Sequence, residues 1–317
     1  MFNWCFIGAG NITCRVAKEL VKSKTNCIFS IWNRTYEKAE KFAKEFGAIA
    51  YHTLEEALND PHIDGFYIAL TNDLHAEYMK KCIEHHKPVL CEKPFTGNRK
   101  EAEEVFELAK KNKVYVSEAM WTWHNKTAIQ VREWLKEIGP IKSVECEFSF
   151  IGVSKEYVVN RLVDVNKYGG ALLDIGVYGV RYSLELFGLP KEIECHGDIS
   201  HGVDLSEEIV FSYDGFKVKH RFAVNDDYGS RYIIKGERGT IEVPTFQRAK
   251  KATLKTEKTS VVTDDSDLYE IQFSNVAKEI KDGLLESKFV TKENTLLCMA
   301  LMDECRRQMG VVFPDEK

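Results

Sequence analysis

The chain has 317 residues, 44% of them hydrophobic and 29% charged, which suits a soluble globular protein of two ordinary domains. Its formal net charge of -5 gives no broad electrostatic case for binding nucleic acid or an anionic membrane, although a local basic patch still has room to hold a phosphate. No run reaches the roughly 18 uninterrupted apolar residues of a membrane span, and the chain opens on a strand-like run without a signal-peptide core. The nine cysteines run from Cys5 to Cys305 without a C-x-x-C pair, which argues against a zinc ribbon or a thioredoxin-like motif. Reduced thiols and a cytoplasmic setting are the expectation.

From the N-terminus, short apolar runs alternate with amphipathic helical patterns. Trp4 to Ile7 predicts a strand and Ile12 to Ser23 a helix. A strand at Cys27 to Trp32, a helix at Tyr36 to Phe46 stopped by Gly47, and a strand at Ala48 to Tyr51 follow. A short helix is expected near Leu54 to Leu58. Strands at Gly65 to Leu70, Pro88 to Cys91 and Val114 to Ser117 enclose helices at His75 to His86 and Arg99 to Asn112. Strands alternating with helices predict a parallel, doubly wound α/β sheet covered on both faces.

The pattern changes near residue 122. A helix from Thr127 to Glu137 ends at Gly139-Pro140, and Lys142 to Phe150 predicts a longer strand. Gly169-Gly170 marks a turn before a helix over Leu172 to Phe187. Strands are then expected at Ile193 to Ile199, Ile209 to Tyr213, Phe216 to Val224, Arg231 to Ile234 and Thr240 to Val243. Asp214-Gly215 is a hairpin signal between two of them. Consecutive strands imply a mostly antiparallel sheet in an α+β domain. Helices near Leu268 to Glu286 and Lys292 to Met309 close the chain. The change of pattern divides the chain into two expected domains, 1–122 and 123–317.

Gly8-Ala9-Gly10-Asn11-Ile12-Thr13 lies between the first strand and the first helix. Gly8 permits a tight turn, Gly10 lets backbone approach a pyrophosphate, and the amides of Asn11 and Ile12 at the helix start face the anion. The third fingerprint position is Thr13 rather than Gly or Ala, which is expected to loosen the helix-to-strand packing. After the second strand, Asn33-Arg34 stands where an acid would hold the ribose of NAD. A carboxylate there would repel a 2′-phosphate; Asn33 does not, and Arg34 can pair with one. NADP(H) is therefore the preferred cofactor, with NAD(H) as the alternative. A solvated Arg34 is the plainer reading of the same residue.

Glu92-Lys93-Pro94 follows the strand at 88–91, at the edge where ligands of such sheets bind. Lys93 there can polarise a substrate oxygen or move protons, and Pro94 restricts its backbone. Asp174 and Tyr178, four apart, share one face of a helix. With Lys93 they make a proton-transfer group, Tyr178 exchanging a proton with a substrate hydroxyl or carbonyl, Lys93 favouring the tyrosinate and Asp174 orienting the set. The same spacing equally fits a capping aspartate and a core tyrosine.

Gly8-Ala9-Gly10, Thr71-Asn72 with His75, Glu92-Lys93-Pro94 and Asp174-Ile-Gly-Val-Tyr178 occur in an order that resembles the glucose–fructose oxidoreductase/inositol dehydrogenase (Gfo/Idh/MocA) family. Leu90 to Pro94, Glu118-Ala-Met-Trp-Thr122, Gly169 to Gly176 and the tail Gly310 to Pro314 are similar to its dimeric dihydrodiol dehydrogenase branch. The resemblance implies hydride transfer between nicotinamide C4 and a carbinol or carbonyl carbon of a sugar, polyol or diol. It implies Lys93 as catalytic lysine beside Tyr178 and Asp174, with Thr71, Asn72, His75 and Glu92 lining the cofactor groove. It also implies dinucleotide binding by 1–122, substrate binding by 123–317, a large open sheet in the second domain through which a homodimer forms, and no metal. Trp123-His124-Asn125 departs from the branch. Trp121 and Trp123 there offer an aromatic wall for substrate, or equally a packed core. The rival from a different class is a non-catalytic dinucleotide sensor or binding module, and a third reading is a sugar-processing enzyme that keeps its cofactor tightly bound.

Overall fold

The computed structural model describes residues 1–316 of the chain. Two compact units are present. The first comprises Met1–Thr96, Lys100–His124 and Ser266–Lys292; the second comprises Gly97–Arg99, Asn125–Asp265 and the stretch from Glu293 onward.

The first unit is built on six strands: β1 (Phe2–Ile7), β2 (Asn26–Trp32), β3 (Ile49–Tyr51), β4 (Gly65–Ile68), β5 (Val89–Glu92) and β6 (Val116–Ala119). They form one parallel sheet in the order β3-β2-β1-β4-β5-β6. The order reverses at β1, which is the switch point where ligands of open α/β sheets bind. Helices α1 (Asn11–Leu20), α2 (Tyr36–Phe46), α3 (Leu54–Asn59), α4 (His75–Glu84) and α5 (Arg99–Asn112) provide the connections. Apolar side chains repeat on one face of each helix, as Val16, Ala17 and Leu20 do in α1, and they are buried. Thr53 and Glu56 close a capping box that starts α3.

Helix α6 (Lys126–Trp134) opens the second unit, with α7 (Val177–Phe187) beyond it. Eight strands follow: β7 (Ile141–Ile151), β8 (Glu192–Ser200), β9 (Val203–Tyr213), β10 (Phe216–Ala223), β11 (Asn225–Gly236), β12 (Thr240–Pro244), β13 (Lys251–Lys255) and β14 (Thr259–Thr263). Their order is β14-β13-β12-β11-β7-β10-β9-β8, antiparallel except where β7 meets β10. The fold is thus the expected doubly wound parallel sheet followed by a large, mostly antiparallel one. Several strands are longer than the hydrophobic pattern predicts, and two are not expected from it: β13, which alternates but over only five residues, and β14, which carries too little alternation to be read. Along β14 four of five residues are exposed.

Helix α7 packs on the inner face of this sheet. Its Ser183 hydroxyl lies 2.8 Å from both His220 Nε2 of β10 and the Tyr232 hydroxyl of β11. Burial holds His220 neutral, pushing it down to about 4. The outer face carries ion pairs, among them Arg231–Glu147 at 2.7 Å and Lys235–Glu145 at 2.8 Å.

Two helices remain, α8 (Leu268–Lys281) and α9 (Lys292–Met309). A linear division at residue 122 places both with the second sheet, but α8 clusters with the first unit. Phe273 of α8 is fully buried, its ring centroid 5.0 Å from both Trp4 and Tyr67. Non-local packing of this kind leaves no local trace in the sequence. No described helix is long and apolar enough to cross a membrane.

Close packing of α7 makes a test. A Cβ on Gly179 would lie 2.4 Å from Cζ of the fully buried Phe222 and 2.8 Å from Cys146 Sγ. Gly179→Ala is expected to destabilise the chain by about 1–3 kcal/mol through overpacking, read as a lower urea midpoint at unchanged m. An unshifted midpoint would show that the helix–sheet spacing relaxes freely.

Candidate active site

The parallel register aligns Ile7, Trp32, Tyr51, Ile68 and Cys91 near one edge of the first sheet. The residues that follow them carry the candidate cofactor groups. Gly8 adopts φ +103°, and a Cβ there would lie 2.4 Å from the carbonyl oxygen of Ala69. Only glycine fits. Its amide donates to Trp32 O at 2.9 Å, and the Ala9 amide donates to Asn33 Oδ1 at 3.1 Å. Asn33 Nδ2 in turn donates to Thr35 O at 2.9 Å.

Thr13 does not loosen this turn. It is fully buried, and its hydroxyl donates to Gly8 O at 2.9 Å, so the third fingerprint position ties helix to loop through a hydrogen bond. Helix α1 begins at Asn11 after an N-cap Gly10, with no acidic residue in its first turn. Ile12 is partly exposed beside Asn11. A Cβ on Gly10 would meet no atom within 4 Å. The first-turn amides of a helix, its positive end and the absence of an acidic residue from that turn fit a dinucleotide pyrophosphate. Arg34 is exposed next to Asn33, and Tyr36 stacks on His52 with ring centroids 3.7 Å apart.

Thr71 and Asn72 follow β4, both partly exposed, at the start of a 3₁₀ turn. His75 is fully buried, its Nδ1 lying 2.8 Å from Pro94 O and its Nε2 3.3 Å from Leu70 O. Desolvation lowers its pKa, favouring the neutral ring. Its ring therefore supports the Glu-Lys-Pro loop from beneath. Glu92 is buried and accepts the Tyr67 hydroxyl at 2.6 Å; burial raises its pKa. The Phe95 amide donates to the buried Glu118 carboxylate at 3.1 Å. Lys93 lies between these anchors, half-buried, before a cis Lys93–Pro94 bond. Trp121 and Trp123 are only 5% and 4% exposed, and Trp121 packs edge-on against Tyr269 of α8 at 4.6 Å.

In the second unit, the segment expected as one α-helix opens with a π-helical turn over Leu172–Gly176. Asp174 sits on that turn and Tyr178 on the first turn of α7. Asp174 holds Arg161 in a two-pronged pair, Nη1 to Oδ1 at 2.8 Å and Nη2 to Oδ2 at 3.2 Å. Arg161 is thirteen residues upstream, in a stretch without periodicity, and no sequence signal pointed to it. Tyr178 is 5% exposed, with its ring tilted against Phe148.

Two buried acids underlie this helix start. Asp204 Oδ2 accepts the Leu172 amide at 2.6 Å, and Gly170 (φ +108°) is required because a Cβ would lie 2.3 Å from Asp204 Oδ1. Glu207 is 2% exposed, and its carboxyl lies beside that of Asp204, the side chain that shares its proton. Its Oε1 would lie 3.0 Å from a Cβ on Gly176. Burial, then the charge of Asp204, raise its pKa well above the usual carboxylate range, so it is held protonated. Among the described residues no cluster of three or more His, Cys, Asp or Glu is arranged for a metal ion.

The fold and the turn chemistry define a dinucleotide-binding unit followed by an open-sheet domain. A model of the oxidoreductase family's NAD-binding Rossmann fold matches residues 2–120, and a GFO/IDH/MocA C-terminal domain model matches residues 129–242. The scyllo-inositol 2-dehydrogenase (NADP(+)) IolU of Bacillus subtilis is 32% identical, with 100% of both chains covered. The trans-1,2-dihydrobenzene-1,2-diol dehydrogenase of Xenopus laevis is 28% identical over 94% of each chain. Among solved structures, KijD10, a 3-ketoreductase from Actinomadura kijaniata in complex with NADP and TDP-benzene, has a TM-score of 0.86. It covers 97% of this chain and 98% of its own at 22% identity, a likeness of fold. The chain belongs to the Gfo/Idh/MocA family of oxidoreductases.

Glu207 yields a test of the buried acids. An unfolded glutamate ionises near pH ~4.3, whereas the folded carboxyl keeps its proton well above that. Above that pH the folded state holds a proton that the unfolded state has released, so stability falls as pH rises, by up to about 1.4 kcal/mol per pH unit. Glu207→Gln keeps the shape without the ionisation. Its melting temperature relative to wild type should climb between pH 5 and pH 8; a flat difference would mean that the carboxyl is not held neutral.

Proposed function

We propose that the protein is an NADP(H)-preferring oxidoreductase acting on a CH–OH group of a sugar, polyol or diol, with Lys93 and Tyr178 handling the proton. The observation that carries the cofactor half is the β2 end. Asn33 is spent on the glycine turn and brings no charge, and exposed Arg34 follows it where an acid would select NAD. The NADP named for both IolU and the KijD10 complex supports the same preference. The substrate class follows from the inositol and dihydrodiol dehydrogenases, since both names specify secondary alcohols on a six-membered ring.

When bound, the nicotinamide supplies or accepts hydride. The remaining work falls to the chain. Gly8, Gly10 and the amides of Asn11 and Ile12 receive the pyrophosphate; Thr71, Asn72 and Glu92 border the same groove. In the oxidation direction Tyr178, as tyrosinate, takes the substrate hydroxyl proton. Lys93 supplies the positive charge that favours that tyrosinate and the departing proton's oxygen. Asp174, neutralised by Arg161, orients this set rather than acting as a base.

The test is a tryptophan-fluorescence titration with NADPH and NADH, then turnover with scyllo-inositol, a trans-dihydrodiol and an aldose panel. NADPH should bind more tightly. Lys93→Ala and Tyr178→Phe should each lower kcat by roughly 10²–10⁴-fold while leaving the NADPH Kd within threefold. Near wild-type rates in both variants would refute the assignment. NADPH binding without turnover on any substrate would favour a sensor.

The reading includes a homodimer through the outer face of the second sheet, whose eight strands leave a broad surface lined by ion pairs. Light scattering should then give about twice the chain mass of 36.4 kDa. A mass of one chain at micromolar concentration would overturn it.

A further inference from the structure

The loop that carries Lys93 ends where the chain enters the second unit. Gly97–Arg99 belong to that unit, and three residues separate Lys93 from Gly97. Four residues of chain reach at most about 14 Å, so whatever fixes Gly97 restricts the backbone of Lys93.

Gly97 is fixed by a ring. A Cβ on Gly97 would lie 2.3 Å from Tyr168 Cε2 and 2.4 Å from Cδ2, so the phenol rests directly against the bare glycine backbone. Tyr168 is 4% exposed and takes a left-handed backbone, φ +51°, uncommon for a bulky residue. Its ring stacks on Phe313, centroids 4.3 Å apart at 19°, and its hydroxyl donates to Asp315. The Arg306 guanidinium lies 4.3 Å over the Phe313 ring.

The same tail holds the neighbours of Gly97. Arg306 donates through Nη1 and Nη2 to the two oxygens of Glu316, at 2.8 Å each. Glu316 also accepts Asn98 Nδ2 at 2.9 Å, and Asp303 accepts the Arg99 amide at 2.9 Å. Gly310 (φ +72°) ends α9 and turns the chain back so that Phe313 is fully buried. Tyr168 also directly precedes Gly169-Gly170 and the helix that bears Asp174 and Tyr178.

We propose that Tyr168 is a positioning residue for Lys93, its ring seated on Gly97 and backed by Phe313 and Arg306 of the C-terminal tail. One side chain is thus bonded through the backbone to the Tyr178 helix and packed on the segment that continues from Lys93. The proposal rests on the reading of Lys93 as the proton-handling lysine. It gives the Gly310–Pro314 tail a task in turnover although the tail itself offers no reactive group.

The test compares Tyr168→Ala, Tyr168→Phe, Lys93→Ala and the double variant Lys93→Ala/Tyr168→Ala, using NADP(+) and the best alcohol of the panel above. Tyr168→Ala should lower kcat about 100-fold, as small misplacements do, with the NADPH Kd within twofold. Tyr168→Phe, which keeps the stack, should stay within about threefold of wild type. In the Lys93→Ala background, loss of the ring should cost less than twofold more, because the group it positions is gone. Multiplying losses in the double variant, or an unchanged kcat in Tyr168→Ala, would overturn the positioning role alone. A wild-type rate in Lys93→Ala would overturn the reading of Lys93 and this proposal with it. Gly97→Ala, which pushes the loop off the intact ring, repeats the experiment if Tyr168→Ala does not fold. Independently of turnover, amide exchange over residues 95–100 should quicken at least tenfold in Tyr168→Ala while β1 stays protected; unchanged exchange there would equally refute the proposal.

Discussion

The arrangement of the first sheet's ligand edge depends on a close approach of two backbones. The Ala69 carbonyl stands where any Cβ at residue 8 would be. Because Gly8 has none, β1 can leave the sheet in a left-handed conformation, and its amide and carbonyl are then placed to bond Trp32 O and Thr13 Oγ1. Those two bonds, with Ala9 to Asn33, lash the turn to β2 and to the start of α1. The N-terminal amides of α1 have no side-chain cap from Gly10 and no carboxylate of their own turn to quench them.

A comparable constraint governs the start of the Tyr178 helix. Two carboxyl groups are buried there, and an isolated buried carboxylate is costly. The strain is resolved by division of labour. Asp204 accepts the Leu172 amide and so acts as a cap, while Glu207 keeps its proton. Gly170 and Gly176 supply the space for both acids. The motif that reads as Gly-Gly-Ala-Leu-Leu-Asp-Ile-Gly therefore owes its glycines to what lies under the helix as well as to the turn itself.

How much of this was legible follows from range. Elements in the first unit carry their own periodicity, because each helix hides one face on a sheet hidden on both sides, and the strand–helix alternation emerged from local pattern. Strands β13 and β14 did not, since β13 alternates over only five residues and β14 is mostly exposed and needs no alternation. The return of α8 to the first unit and the Arg161–Asp174 pair are products of tertiary contact, and residues 13 or 200 positions apart leave no periodic mark. The π-turn at Leu172–Gly176 has no sequence rule of its own; it sits where two acids must fit beneath the chain. Thr13 shows the opposite error: a residue judged too large for its slot is accommodated because its hydroxyl reaches a carbonyl that must be satisfied anyway.

Asn33 carries the same lesson into cofactor choice. A side chain at the end of β2 is expected to meet the ribose itself, yet both polar atoms of Asn33 are engaged, one with Ala9 and one with Thr35. What Asn33 contributes is neutrality together with rigidity. It closes the glycine turn with an amide where an aspartate, making the same bond to Ala9, would have placed a negative charge beside any 2′-phosphate. Under the proposed preference for NADP(H), direct recognition would fall to Arg34, exposed one residue further on, whose planar guanidinium suits a phosphate. Selectivity on this view arises from one residue that refrains from repelling and a second that attracts, and the two roles cannot be exchanged, because only the first is bound into the turn.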